Sequence, residues 1–247
     1  MVSVQGKWAL ITGASRGIGY LTALFMAKQG CNLVLHSRSL ENTKKLMDEV
    51  KAFGVDAYCV EAELANHQEV VRMLDDIEAK GTEIDIVFNN AAVQLTYRND
   101  YFKTPIEDLD LSLRVNFIAV TTICYRLLPR MVDRGFGRVI NTTSGIRDQP
   151  EQAGYSASKA ALDKFTNDLG YKLNGTDVII SLTDPGWCRT DLGGPQAPHA
   201  PEDSIPGVAV GAFVNDKTSG RFFNATDFIG MTLEDAVKKG EAQIVSN

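Results

Sequence analysis

The amino-acid sequence predicts an α/β protein built on a single doubly wound parallel sheet of about seven strands with helices on both faces. Three observations carry this expectation. Short apolar runs alternate with longer stretches of helical period, the pattern of repeated βα units. A glycine-rich turn, Thr12-Gly13-Ala14-Ser15-Arg16-Gly17-Ile18-Gly19, lies where the first strand meets the first helix. The 247 residues are 44% hydrophobic and 23% charged, an ordinary globular composition.

Trp8-Ala9-Leu10-Ile11 is the first strand, and Ile18, Leu21, Leu24 and Phe25 recur at helical spacing until Gly30 closes the helix. Leu33-Val34-Leu35 is the second strand, followed by a helix marked by Leu46, Val50 and Phe53. Ala57 to Val60 is the third strand, and Val70, Leu74 and Ile77 mark the next helix. Ile84 to Phe88 is the fourth strand, ending on Asn89-Asn90, with a helix from about Leu109 to Met131 behind it. Arg138-Val139-Ile140 begins the fifth strand, a long helix runs from about Ser156 to Leu173, and Val178 to Leu182 is the sixth strand. The unbroken apolar run of that sixth strand is what burial on both faces requires. Pro195, Pro198, Pro201 and Pro206 with Gly193 and Gly194 make a loop. A last strand near Arg221-Phe222-Phe223 and a polar helix from Leu233 to Lys239 finish the chain. No repeat and no linker before residue 190 divides it, so residues 1–247 read as one domain with a short substrate lid at about 192–213.

Charge and cysteine usage exclude several classes. The 25 Lys+Arg against 31 Asp+Glu give a net charge of −6, which lacks the cationic field that nucleic acid or anionic lipid would need. The four cysteines are scattered and form no Cys-x-x-Cys pair, so they read as reduced thiols of a cytoplasmic protein. His36, His67 and His199 show no ligand spacing, and no metal is expected. No apolar run approaches the about 18 residues of a membrane-spanning helix, and no secretory leader is recognised.

Two motifs carry chemistry. Glycines in the first turn let backbone approach a pyrophosphate closely, and the helix N-terminus beyond them supplies oriented N–H groups. Tyr155 and Lys159, four apart at the start of a helix, share one face and can address one substrate together. A free phenol has a pKa near about 10, and a neighbouring ammonium stabilises its phenolate.

The Gly-x-x-x-Gly-x-Gly spacing behind Thr12 resembles the short-chain dehydrogenase/reductase family. So do Asn89-Asn90-Ala91-Ala92, with Ala92 where the family has glycine, Asn116 in the following helix, the Tyr-x-x-x-Lys signature Tyr155-Ser156-Ala157-Ser158-Lys159, and Pro185-Gly186-Trp187-Cys188-Arg189-Thr190 against Pro-Gly-x-x-x-Thr. The resemblance covers nearly the whole chain and implies a Rossmann fold. It further implies reversible hydride transfer between a nicotinamide cofactor and a carbonyl/alcohol pair.

By the same resemblance Tyr155 is the general acid/base, Lys159 tunes it and bonds the nicotinamide ribose, Asn116 orients a water in a proton relay, and a serine on the fifth strand holds the substrate oxygen. The run Gly137-Arg138-Val139-Ile140-Asn141-Thr142-Thr143-Ser144 places that serine at Ser144, with Thr142 and Thr143 as hydroxyl alternatives. Gly13, Ser15, Arg16, Gly17, Ile18 and Gly19 would hold the cofactor together with Asn90, Ala91, Ala92, Pro185, Gly186, Cys188 and Thr190. Glu63-Leu64 would cap its adenine. Ser37 stands where an NAD enzyme carries an acid, and Arg38 follows, so NADP is the expected cofactor, with Arg16 as a second cation. A catalytically silent NADP-binding regulatory protein is the alternative. A homo-oligomer, dimer or tetramer, acting on a small carbonyl or alcohol is expected, with no nucleic-acid or membrane partner.

Overall fold

Strand β1 (Trp8–Ile11) shows how the sheet is filled from both sides: Ala9 and Ile11 enter one helical layer, Leu10 the other, and all three are fully buried. The computed structural model describes residues 1–243. Six further strands follow: β2 (Asn32–Ser37), β3 (Ala57–Glu61), β4 (Ile84–Asn89), β5 (Gly137–Thr142), β6 (Val178–Asp184) and β7 (Arg221–Asn224). All pairings are parallel, and the order across the sheet is β3-β2-β1-β4-β5-β6-β7.

Helices α1 (Gly17–Lys28), α2 (Lys44–Lys51) and α7 (Leu233–Glu241) cover one face. On the other lie α3 (His67–Ala79), α5 (Ala119–Arg134) and α6 (Ala153–Leu173), while α4 (Ile106–Leu113) packs on α6. Helix α3 is typical of the second layer: Val70, Met73, Leu74 and Ile77 form its buried stripe, each contributing about 1.5–3 kcal/mol of apolar burial. Asn66 accepts the Gln68 amide and caps its start. Arg138, fully buried on β5, donates to the Val214 carbonyl at 3.1 Å and to Oδ1 of Asp177 at 2.7 Å, fixing the chain on both sides of β6.

Three local readings change. The helix placed at about Leu109 to Met131 is α4 and α5 joined by a π segment, Arg114–Ile118, whose extra residue widens the turn around buried Asn116. That continuous run, Ile106–Arg134, contains an 18-residue stretch long and apolar enough to cross a bilayer, which the sequence reading missed. Half of that stretch is buried within the fold. Residues 207–212, placed in the lid, form a short 3-10 helix in which every residue is buried against β5, β6, β7 and α7. Val208, Ala209, Val210 and Ala212 fill the core there.

Candidate active site

Strand order reverses between β1 and β4, and the carboxyl ends of these strands open the crevice where doubly wound sheets bind ligands. The glycine-rich turn occupies it. Gly13 and Gly17 have φ of 67° and 55°, a left-handed conformation that favours glycine. A Cβ on Gly19 would stand 2.3 Å from the Gly13 carbonyl oxygen and 2.5 Å from Nδ2 of Asn90. The Thr12 hydroxyl accepts the amides of Asn90 and Ala91, each at 3.0 Å, and so locks the turn to the end of β4. Ala92 follows, half-buried. Arg16 is the N-cap of α1 and gives its first turn no side-chain hydrogen bond. The amides around Gly17, Ile18 and Gly19, beside half-buried Ser15, therefore present a helix N-terminus suited to a phosphate.

Beneath this turn lies a residue that motif reading missed. His36 is buried, its Nδ1 accepts the Gly13 amide at 3.3 Å, and its Nε2 donates to the Ala62 carbonyl at 3.1 Å. Burial holds its pKa below the ordinary histidine value. At the end of β2, Ser37 is buried and donates to the Ser39 carbonyl at 2.5 Å, while Arg38 is exposed. Glu63 turns back to accept the Ala65 amide at 3.0 Å, and Leu64 is buried beside it. Arg16 does not join Arg38. It pairs with Asp191 at 2.7 Å on the exposed surface.

Tyr155 and Lys159 are both buried on the first turns of α6. Lys159 Nζ donates to the Thr142 carbonyl at 2.7 Å and lies 5.6 Å from the centre of the Tyr155 ring. Burial lowers the lysine to about 8 against the opposing pull of Asp163 and Asp184. Tyr155 differs from the expected depressed phenol: burial pushes it up to about 12, the Ser144 hydroxyl opposes that shift, and Asp184 adds to it. The lysine's direct hydrogen bond goes to backbone, so desolvation decides the phenol's position.

Three hydroxyls stand near this pair. Ser144 is the one whose side chain acts on the Tyr155 phenol, and it also accepts the Ile146 amide at 3.2 Å. Thr143 turns away to bond Asp163, and the Thr142 hydroxyl is buried without a hydrogen-bond partner. Asn116 is fully buried; its Oδ1 accepts the Val93 amide at 2.8 Å, and Nδ2 donates to the Val93 carbonyl and to Ser158 Oγ, each at 2.9 Å. Ser158 in turn donates to the Tyr155 carbonyl at 2.7 Å, linking the π segment to the helix that carries the phenol.

The turn after β6 closes the crevice. Buried Pro185 offers its carbonyl to Cys188 Sγ at 3.2 Å and to Ser204 Oγ at 2.7 Å, while Gly186 has φ of 78°. Burial pushes the Cys188 thiol up, which marks it as a packed side chain and not a nucleophile. A Cβ on Gly17 would stand 3.3 Å from Thr190 Cγ2, so this turn leans on the glycine-rich turn. Trp187 is 58% exposed and donates from Nε1 to the Gly193 carbonyl at 2.7 Å, which places it at the rim and not on the sheet.

Residues 7–200 match the family model described as short chain dehydrogenase. The chain belongs to this family. A 3-oxoacyl-(acyl-carrier-protein) reductase of Synechocystis sp. is 32% identical over 195 residues, covering 78% of each chain. Among solved structures, a metagenomic short-chain oxidoreductase in complex with NADP is similar at a TM-score of 0.79 and 27% identity, over 90% of this chain and 98% of that one. An NAD+-bound xylitol dehydrogenase shares the fold at a TM-score of 0.79 and 22% identity, over 90% and 98%. This short-chain dehydrogenase is thus an oxidoreductase.

Proposed function

We propose that this short-chain dehydrogenase interconverts a carbonyl and an alcohol using NADP(H). The observation that carries the reading is the meeting of Ser144, Tyr155 and Lys159 at the carboxyl end of β5, in a sheet whose β1 ends in the glycine-rich turn. The crevice fits a dinucleotide: Gly19 leaves no room for a Cβ, and the uncapped start of α1 offers amides to a pyrophosphate. When bound, the nicotinamide supplies the hydride.

The protein supplies position and the proton. Ser144 donates to the substrate carbonyl oxygen, and Tyr155, which keeps its proton at neutral pH, delivers that proton to the same oxygen as it gains charge. Lys159 stabilises the phenolate left behind. Asn116 acts through Val93 and Ser158, holding the loop after β4 and the turn carrying Tyr155; its amide donors bond protein atoms. The adenosine end favours NADP, because Ser37 replaces an acid that would repel a 2′-phosphate and exposed Arg38 can meet one. The named relative reduces a 3-oxoacyl group, which makes a 3-oxo thioester the first substrate class to assay. Exposed Ile118, Tyr125 and Tyr171 on the π segment, α5 and α6 fit a second copy of the chain, and four free thiols fit a reducing cytoplasm.

Nicotinamide absorbance with NADPH or NADH, against 3-oxo thioesters, ketones and aldehydes, tests the reading. Turnover that prefers NADPH and falls at least about a hundredfold in Tyr155→Phe is expected for loss of a general acid. Tight NADPH binding without turnover on any substrate would replace it with a silent, nucleotide-sensing role.

A further inference from the structure

We propose that Asp184 is a positioning residue of this active site: its carboxylate clamps the Ser144 loop to the turn after β6 and supplies the negative charge that faces Lys159 and Tyr155. This rests on the proposed oxidoreductase reading and extends it to a residue outside the family's motifs. The ladder between β5 and β6 ends where the Thr143 amide donates to the Thr183 carbonyl at 2.8 Å. Beyond that point Asp184 takes over. Its Oδ2 accepts the Gly145 amide at 2.8 Å, and its Oδ1 accepts the Gly186 amide at 2.9 Å.

Both contacts need an acceptor. An ionised carboxylate is acceptor-only and satisfies the two amides, whereas an asparagine in the same place turns an NH2 group toward one of them. The fit is close, since a Cβ on Gly145 would stand 3.0 Å from Oδ2. Ser144 is thereby held from its C-terminal neighbour, and Pro185-Gly186 from its N-terminal one.

The electrostatic role follows from what surrounds the pair. On Lys159 the acting charges among the described residues are Asp163, one turn along α6, and Asp184 on β6; β5 offers only the Thr142 carbonyl and neutral hydroxyls. On Tyr155 the acting charge is Asp184, opposed by the hydrogen bond of the Ser144 hydroxyl. Asp163 is hydrogen-bonded to Thr143, and burial pushes it toward its neutral form. Asp184 is half-buried, and each of its carboxylate oxygens accepts a backbone amide. Both of its effects have the same sign, since an anion raises the pKa of an ammonium and of a phenol alike.

The test is Asp184→Asn, read in two ways. Lysine labelled with 13C at Cε reports the Lys159 titration in the free enzyme, with Lys159→Met giving the assignment, and needs no substrate. Its midpoint is expected to fall by about half a pH unit or more. In steady-state assays kcat is expected to fall at least about tenfold. The proposal stands only if both move; an unchanged midpoint or an unchanged kcat overturns it. If the native enzyme shows no turnover, the oxidoreductase reading fails and the lysine midpoint alone decides the role of Asp184. Should Asp184→Asn not fold, Gly145→Ala decides: it crowds Oδ2 while keeping the charge, so kcat falls at an unshifted midpoint, and full turnover overturns the clamp.

Discussion

Arg16, on the glycine-rich turn, is ion-paired at 2.7 Å with Asp191, on the turn after β6. One of the two cations expected at the ribose phosphate is therefore already ion-paired, and Arg38 is the one without an ion pair among the described residues. Arg38→Ala should weaken NADPH binding about tenfold or more, the worth of a charged hydrogen bond. Arg16→Ala should cost less than about fivefold, because its guanidinium already has Asp191 as a partner and any phosphate contact competes with that pair. Asp191→Ala should tighten NADPH at low salt by freeing Arg16. Nicotinamide fluorescence titrations at two ionic strengths check the ranking, and a larger loss in Arg16→Ala than in Arg38→Ala would refute it.

Gly19 allows a sharper test of the nucleotide crevice. Its missing Cβ would meet the Gly13 carbonyl oxygen and the Asn90 amide nitrogen, so Gly19→Ala must move backbone of the turn itself. Loss of NADPH binding is expected, with a drop in stability of about 1–3 kcal/mol for overpacking. Calorimetry with and without NADPH reads both, and an alanine variant that still gains Tm from NADPH would contradict the crevice.

The three hydroxyls at the end of β5 separate cleanly. Ser144→Ala should lower kcat by at least about tenfold, since it removes a donor to the developing oxyanion. Thr142→Val replaces a buried hydroxyl that has no partner, and should leave kcat unchanged while holding or raising stability by up to about 1 kcal/mol. Equal kinetic losses in the two variants would remove Ser144 from its assigned role.

His36 gives a pH dependence of known sign. Burial depresses its pKa in the folded protein, so below about pH 6.5 the unfolded chain binds more protons than the native one. Stability then falls as the solution is acidified through that window. His36→Gln should flatten the change in urea midpoint between about pH 7.5 and pH 5.5, and an unaltered slope would place the acid sensitivity elsewhere.

The residues legible in sequence are those whose meaning is local. The glycine-rich turn and the Tyr155/Lys159 pair declare themselves within eight residues or one helical turn, and the strands by apolar runs. His36 and Asp184 escaped because their partners, Gly13 and Gly145, lie 23 and 39 residues away and meet them only through the parallel sheet. A carboxylate ending the apolar run of β6, directly before Pro185-Gly186, was the available signal for Asp184. The same limit explains residues 207–212: a short apolar segment after a proline-rich loop reads as a lid, and only the open face of β5–β7 reveals that it is core.

The contacts of Gly17 with Thr190 and of Arg16 with Asp191 join positions about 175 residues apart in the chain. During synthesis the glycine-rich turn emerges long before β6 and the turn behind it, so the crevice is complete only once all three have left the ribosome. A chain truncated within β6 would carry every glycine of the turn and still lack the wall they lean on.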